Sequence, residues 1–224
     1  MEVQAQQVSE ENGLDRLLDA AEDEFSERGY DGAGMKGIAA RSGTSHSLLH
    51  YHFGTKEKLY EAVIARRSAM INQARHALLD EVDLSAPDAV ERIFAALFTP
   101  PLGPEGRGKS YARIFAGLAA GGDRDSKLVR RHYDKTAQRF VKALATAMPG
   151  ATQKDAARAY TMALGALVVA LSGDERTNRI AGVDDEPVEP AALIPDLAAY
   201  ARGGFEALIA KKSEAKKSEE GGTR

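Results

Sequence analysis

Between Ser42 and His52 the chain gathers Ser42, Thr44, Ser45, His46, Ser47, His50, Tyr51 and His52. Hydroxyls and imidazoles both donate and accept hydrogen bonds, which suits phosphate oxygens and base edges. A helix made only to pack shows charges on one face and an apolar stripe on the other. Here the polar groups sit on a short helix that follows Gly43 and a polar turn, so the pattern is that of a helix-turn-helix contacting DNA. None of these side chains imposes the bidentate selection that Arg makes on guanine, so they leave the base sequence open. His46 and His50, four residues apart, share a helical face and invite a metal. The chain has no Cys, and the nearest carboxylate, Glu57, lies in the next helix, so no metal site and no cofactor is assigned.

The elements that must position these residues follow from spacing. Leu14, Leu17, Leu18, Ala21 and Phe25 predict an amphipathic helix over about 12–28, with Gly29 as a left-handed cap. Met35 to Ser42 is a second helix. Ser45 caps a third that runs to about His52, and Thr55 caps a fourth that runs to about Leu79. Leu17, Phe25, Ile38, Ala39, Leu49 and Phe53 read as the core of this unit. Longer, more apolar helices follow over about 87–98, 109–120, 125–148, 152–171 and 190–210. Pro100-Pro101 breaks the chain after the first of them, and Thr152 with Asp155 forms a capping box. Helix-forming residues dominate and alternating β-branched runs are missing, so the fold class is all-α, with about nine helices. The expected organisation is a disordered 1–12, a helix-turn-helix domain at 13–65, a helical body at 66–210 and a disordered charged tail at 211–224.

The net charge of -3 is unevenly spread. Residues 1–33 carry ten acids against Arg16 and Arg28, a net of -8, whereas residues 34–67 carry a net of +4. The positive stretch coincides with the helix-turn-helix, where a local field would draw phosphates. The absence of Cys, of a signal-like N-terminus and of any long apolar run implies a cytoplasmic protein that does not enter a membrane. Catalysis finds no support. Gly103 to Ser110 has the spacing of a phosphate loop, but the loop belongs after a strand and none is expected there, and no nucleophile-base set is evident.

Residues 14–64 resemble the N-terminal domain of the TetR family of transcriptional regulators. The shared features are Phe25 before Glu27-Arg28-Gly29-Tyr30, Ile38-Ala39, Gly43 with Ser45, Leu49, Tyr51-His52-Phe53, Lys56-Glu57 and Leu59. The resemblance implies DNA contacts from Gly34, Lys36, Thr44, Ser45, His46, Ser47, His50, Tyr51 and Lys56. It departs at Ala33 and Gly34, where the family usually carries a hydroxyl, and at His46 and His50, which implies weaker binding. It further implies a ligand-responsive repressor on double-stranded DNA with a palindromic operator. An apolar small-molecule effector would lie among Phe94, Phe98, Tyr111, Phe115, Tyr133, Phe140 and Tyr160. A homodimer would form through Tyr160, Leu164, Leu167, Leu171, Leu193, Leu197 and Tyr200. The competing readings are a helical small-molecule-binding protein without specific DNA binding and a small helical enzyme.

Overall fold

The computed structural model describes residues 2–103, 109–171, 175–183 and 188–221; residues 2–12, 109, 111, 175 and 216–221 are described by their backbone alone. Eleven α-helices and one 3₁₀ turn account for the ordered elements among the described residues. They form two compact units: residues 1–70 with 110–132, and residues 71–109 with 133–224.

In the first unit, α1 (Glu2–Gly32) breaks its helical geometry at Gly29, whose φ of 67° is open to glycine at little cost. Short helices α2 (Met35–Ser42) and α3 (His46–Phe53) follow, then the start of α4 (Lys56–Asp80). Gly43 ends α2 at a φ of 68°, and the N–H of Thr44 returns to Ala39 O at 3.1 Å, which closes the helix end. Ser45 caps α3 as its hydroxyl accepts from Leu48 N at 3.1 Å. Leu17, Phe25, Ile38, Ala39 and Leu49 are buried as expected, joined by Leu59, Val63 and Ile64, while Phe53 is half-buried.

The charges of α1 and α4 are spent on one another. Arg67 makes a bidentate pair with Glu22, at 3.1 Å from Nε and 2.6 Å from Nη2, and both side chains are buried. Arg66 reaches Asp19 at 2.7 Å and Glu22 at 3.4 Å. The acids and bases that the sequence sets apart therefore meet in space. A buried pair of this kind is costly to break, because the survivor keeps its charge without compensation.

The first unit also takes in α6 (Lys109–Ala120, from Ser110) and α7 (Asp123–His132). Tyr30, Tyr60 and Phe25 form an aromatic cluster, with Tyr60 edge-on to Phe25 at 4.8 Å and to Tyr30 at 5.0 Å. The Arg124 guanidinium, doubly hydrogen-bonded to Asp125, lies 3.6 Å from the Tyr30 ring centroid. Burial pushes the Tyr60 phenol up to about 12, with the nearby Asp125 carboxylate adding to it.

In the second unit, α5 (Ala89–Leu102) packs on α11 (Ile194–Gly221), α8 (Asp134–Ala147) on α9 (Gln153–Leu171), and α9 on α11. Thr152 and Asp155 form the expected capping box. The Thr152 N–H donates to the Asp155 carboxylate at 2.9 Å, and Lys212 of α11 reaches the same oxygen at 2.7 Å. Phe94, Phe98, Phe140, Leu144, Leu167 and Phe205 fill the interior.

Three expectations are corrected. The helix expected over 125–148 is two, because the chain leaves helical geometry at Tyr133, and the first of them, α7, begins at Asp123. The acidic stretch from 174 contains α10 (Glu175–Ala181), with residues 184–187 outside the described residues; these two differences raise the count from nine to eleven. Pro100 and Pro101 do not break α5, which runs through them to Leu102. Pro101 has no N–H for the carbonyl of Leu97 four residues back. Arg75 of α4 supplies the missing donor, its Nε lying 2.9 Å from Leu97 O. The ends also differ from expectation: α1 begins at Glu2 and α11 extends to Gly221, in sequences rich in Glu, Gln, Ala and Lys, all good helix formers.

Glu22→Ala is expected to lower the unfolding free energy by roughly 3–5 kcal/mol in a urea titration, since it removes the buried carboxylate that Arg67 and Arg66 both reach. For Tyr60 the sign is set by a neutral phenol favoured in the fold. Its contribution is complete below pH 10 and is lost as pH rises from 10 towards about 12. A comparison of urea midpoints across that window should show wild type falling more steeply than Tyr60→Phe, by roughly 2 kcal/mol in all.

Candidate nucleic-acid interface

The turn at Gly43 and the Ser45 cap present α3 with Leu49 in the core, Phe53 half-buried and the other residues outward. Tyr51 is 83% exposed, and Ser45, His46, Ser47, His50 and His52 are exposed with it. Eight residues of helix fit the major groove, and this face carries hydroxyl, phenol and imidazole groups. His46 and His50 stack edge to face with centroids 4.6 Å apart. His50 Nδ1 lies 2.7 Å from the carbonyl oxygen of Gly54. A carbonyl only accepts, so Nδ1 carries the proton and Nε2 of the neutral ring is left as an acceptor.

The remaining expected contacts divide. Gly34 is exposed and caps α2 without a side chain, and Lys36 is exposed in the first turn of that helix. Gly37, costly in a helix by propensity, has a close neighbour that justifies it: a Cβ there would stand 2.8 Å from Oε1 of the buried Glu24. Thr44 is half-buried, its hydroxyl 2.8 Å from that of Ser42. Lys56, expected on a phosphate, is placed otherwise. Its ammonium donates to the carbonyls of Tyr30 at 2.8 Å, Ala33 at 3.1 Å and Asp31 at 3.4 Å. All three protons are engaged at the end of α1, which leaves the backbone N–H groups at the start of α4 to meet an anion there.

The positive field read from the sequence is correspondingly reduced. Arg41 pairs with Glu27 at 2.5 Å and reaches Glu24 at 3.4 Å, and Arg66 and Arg67 face α1. Among the described residues of 34–67, Lys36 and Lys58 are the exposed cations with no hydrogen-bond or ion-pair partner. Lys58 was missed by the sequence reading, as was Leu48, 44% exposed on α3 and able to touch a thymine methyl. The signal for Leu48 was its register: only one of the two adjacent leucines at 48 and 49 can face the core of so short a helix.

In the second unit, Phe94, Phe98, Tyr133, Phe140 and Tyr160 are buried, with Phe94 stacked on Phe98 at 6.2 Å and Phe140 tilted against Tyr160 at 6.3 Å. Phe115 is buried in the first unit, and the Tyr111 side chain lies outside the described residues. Of the expected dimer residues, Tyr160, Leu167 and Leu171 are buried within the subunit, Leu164, Leu193 and Leu197 are half-buried, and Tyr200 is 75% exposed. The outward face of α9 and α11 is completed by Met162 and Val169, which the sequence reading left out. With Leu193, Leu197, Tyr200 and Leu208 they line an apolar groove of about 810 Å³. Among the described residues no helix is long and apolar enough to cross a membrane.

Two lysines with different surroundings should behave differently. Lys36→Ala is expected to weaken DNA binding uniformly across sequences, reduce the slope of log K against log salt by about one, and leave the fold unchanged. Lys56→Ala should instead lower the melting temperature by uncapping α1. Anisotropy titrations in a salt series, paired with thermal melts, separate the two.

Comparisons with known proteins agree with this arrangement. Residues 17–63 match the family model described as bacterial regulatory proteins, tetR family, and residues 91–204 match that of the tetracyclin repressor-like C-terminal domain. The HTH-type transcriptional activator FasR of Mycolicibacterium smegmatis is 42% identical over 69 residues, covering 30% of this chain and 32% of FasR. The HTH-type transcriptional repressor NicS of Pseudomonas putida is 33% identical over 94 residues, 42% of either protein. These alignments span less than half the length of either relative. The fold extends further: the transcriptional regulator FadR of Bacillus subtilis, solved in complex with stearoyl-CoA, superposes with a TM-score of 0.60 at 13% identity, over 83% of this chain and 96% of that one. With both its DNA-binding and its C-terminal models matched, the chain belongs to the tetR family of bacterial regulatory proteins.

Proposed function

We propose that this chain is a ligand-responsive repressor that binds a palindromic operator as a homodimer, with α3 in the major groove. The observation that carries the reading is the outward face of α3, where Ser45, His46, Ser47, His50 and Tyr51 offer hydrogen-bonding groups around one buried anchor, Leu49. A second copy is favoured by the groove on α9 and α11. Met162 and Val169 are 63% and 70% exposed beside Tyr200, and an apolar surface of that kind is relieved when a two-fold axis pairs it with itself. Such a dimer places two α3 helices on half-sites related by the same axis, which is why the operator would be palindromic. NicS is named a repressor and the FadR structure holds stearoyl-CoA, which supports repression relieved by an apolar effector. The buried aromatic residues of the second unit supply surroundings suited to such a molecule. The finer localisation follows from the substrate: a repressor of this kind works in the cytoplasm, where its DNA is.

Tyr51→Ala tests the DNA face, and Val169→Glu tests the dimer. Tyr51→Ala should bind operator DNA at least about tenfold more weakly, with an unchanged melt, since the ring contributes nothing to the core. Val169→Glu should elute as a monomer in size-exclusion chromatography and lose operator affinity while keeping its helical circular dichroism. A Val169→Glu protein that remains dimeric would sink the interface, and unaltered binding by Tyr51→Ala would sink the DNA face.

A further inference from the structure

Arg75 is 1% exposed in the second unit, and its side chain is only half explained by the fold. Nε satisfies the Leu97 carbonyl left without a donor by Pro101. The far end has no such duty. Nη2 is fully buried without a hydrogen-bond partner, and among the described residues no carboxylate pairs with this guanidinium. A guanidinium is a permanent cation, and a buried cation without a counterion is a costly arrangement that calls for an anion.

We infer that Arg75 anchors the carboxylate head group of an apolar acid, which is the class of effector this regulator senses. The inference rests on the effector reading above and gives it a chemical class. Several observations narrow it. With Nε occupied, the group that remains is Nη2, whose N–H donors suit a carboxylate oxygen. The charge available is a single positive one. The neighbouring His76 places Nε2 2.9 Å from the Thr136 hydroxyl, and burial, with Arg139 beside it, holds its pKa below the ordinary value. Arg139 itself is paired to Asp80 at 2.5 Å. A single cation suits a monoanion rather than a phosphate dianion. Phe94, Phe98 and Phe140 are fully buried in the same unit, so the body of the ligand is hydrocarbon.

The test uses the full chain with dodecanoate and dodecanol, which differ in the head group alone. Wild type should bind the acid at least about tenfold more tightly than the alcohol by isothermal titration, and the acid alone should release operator DNA. Arg75→Gln is the matched variant, because the Gln amide nitrogen sits the same number of bonds from Cα as Arg Nε. It keeps the donor for Leu97 O and removes the cation, so the acid's advantage should shrink to within about twofold while binding of the alcohol is unchanged. Equal binding of acid and alcohol by wild type would overturn the role of Arg75 and leave an apolar effector standing, even if the variant failed to fold. Undiminished preference for the acid in Arg75→Gln would overturn it as well. Failure of wild type to bind either amphiphile would overturn the inference together with the apolar-effector reading.

Discussion

The first unit depends on the bidentate contact between Glu22 and Arg67. It joins the first helix to the fourth, and Arg66 with Asp19 extends it to the surface. Two long helices tied by a buried ion pair tolerate little change of register, since sliding by one residue would break both of its hydrogen bonds. Around that tie the smaller devices act locally: Lys56 closes the end of α1, Gly43 turns the chain, and Ser45 starts α3. The recognition helix needs only Leu49 to hold it to the core because its two ends are fixed by these caps. That leaves the rest of its surface free for hydrogen-bonding chemistry.

Most of this first unit was legible in the chain itself. Apolar spacing, turn glycines and capping hydroxyls are local signals, and they placed α2, α3 and the α3 face within a residue or two. Charge was legible only as a sum. The -8 and +4 segments are real, yet Arg41, Arg66 and Arg67 are oriented by tertiary pairing that no local pattern records. Lys56 shows the same limit: its position suits a phosphate, and the carbonyls it caps come from residues more than twenty positions earlier.

The second unit was read less well. The helix through Pro100-Pro101 is possible because an arginine more than twenty residues away replaces a backbone donor, and proline chemistry taken alone argues for a break. The dimer residues were drawn from α9 as a whole, because a helix apolar on more than one face does not reveal which face is inward. Leu167 and Leu171 face in, and Met162 and Val169 face out.

The small number of unpaired cations on the DNA face also bears on how such a protein is distributed in a cell. Sequence-independent attraction to duplex DNA scales with the phosphates a protein neutralises. On the proposed reading, residues 34–67, whose arginines pair with acids of α1 and leave Lys36 and Lys58 outward, would have little hold on arbitrary sequence. Fewer molecules are then sequestered on the excess of non-operator DNA. A larger fraction would stay free in solution, so on the proposed function modest expression would be enough to occupy an operator, and departure from it would meet little drag from the flanking duplex.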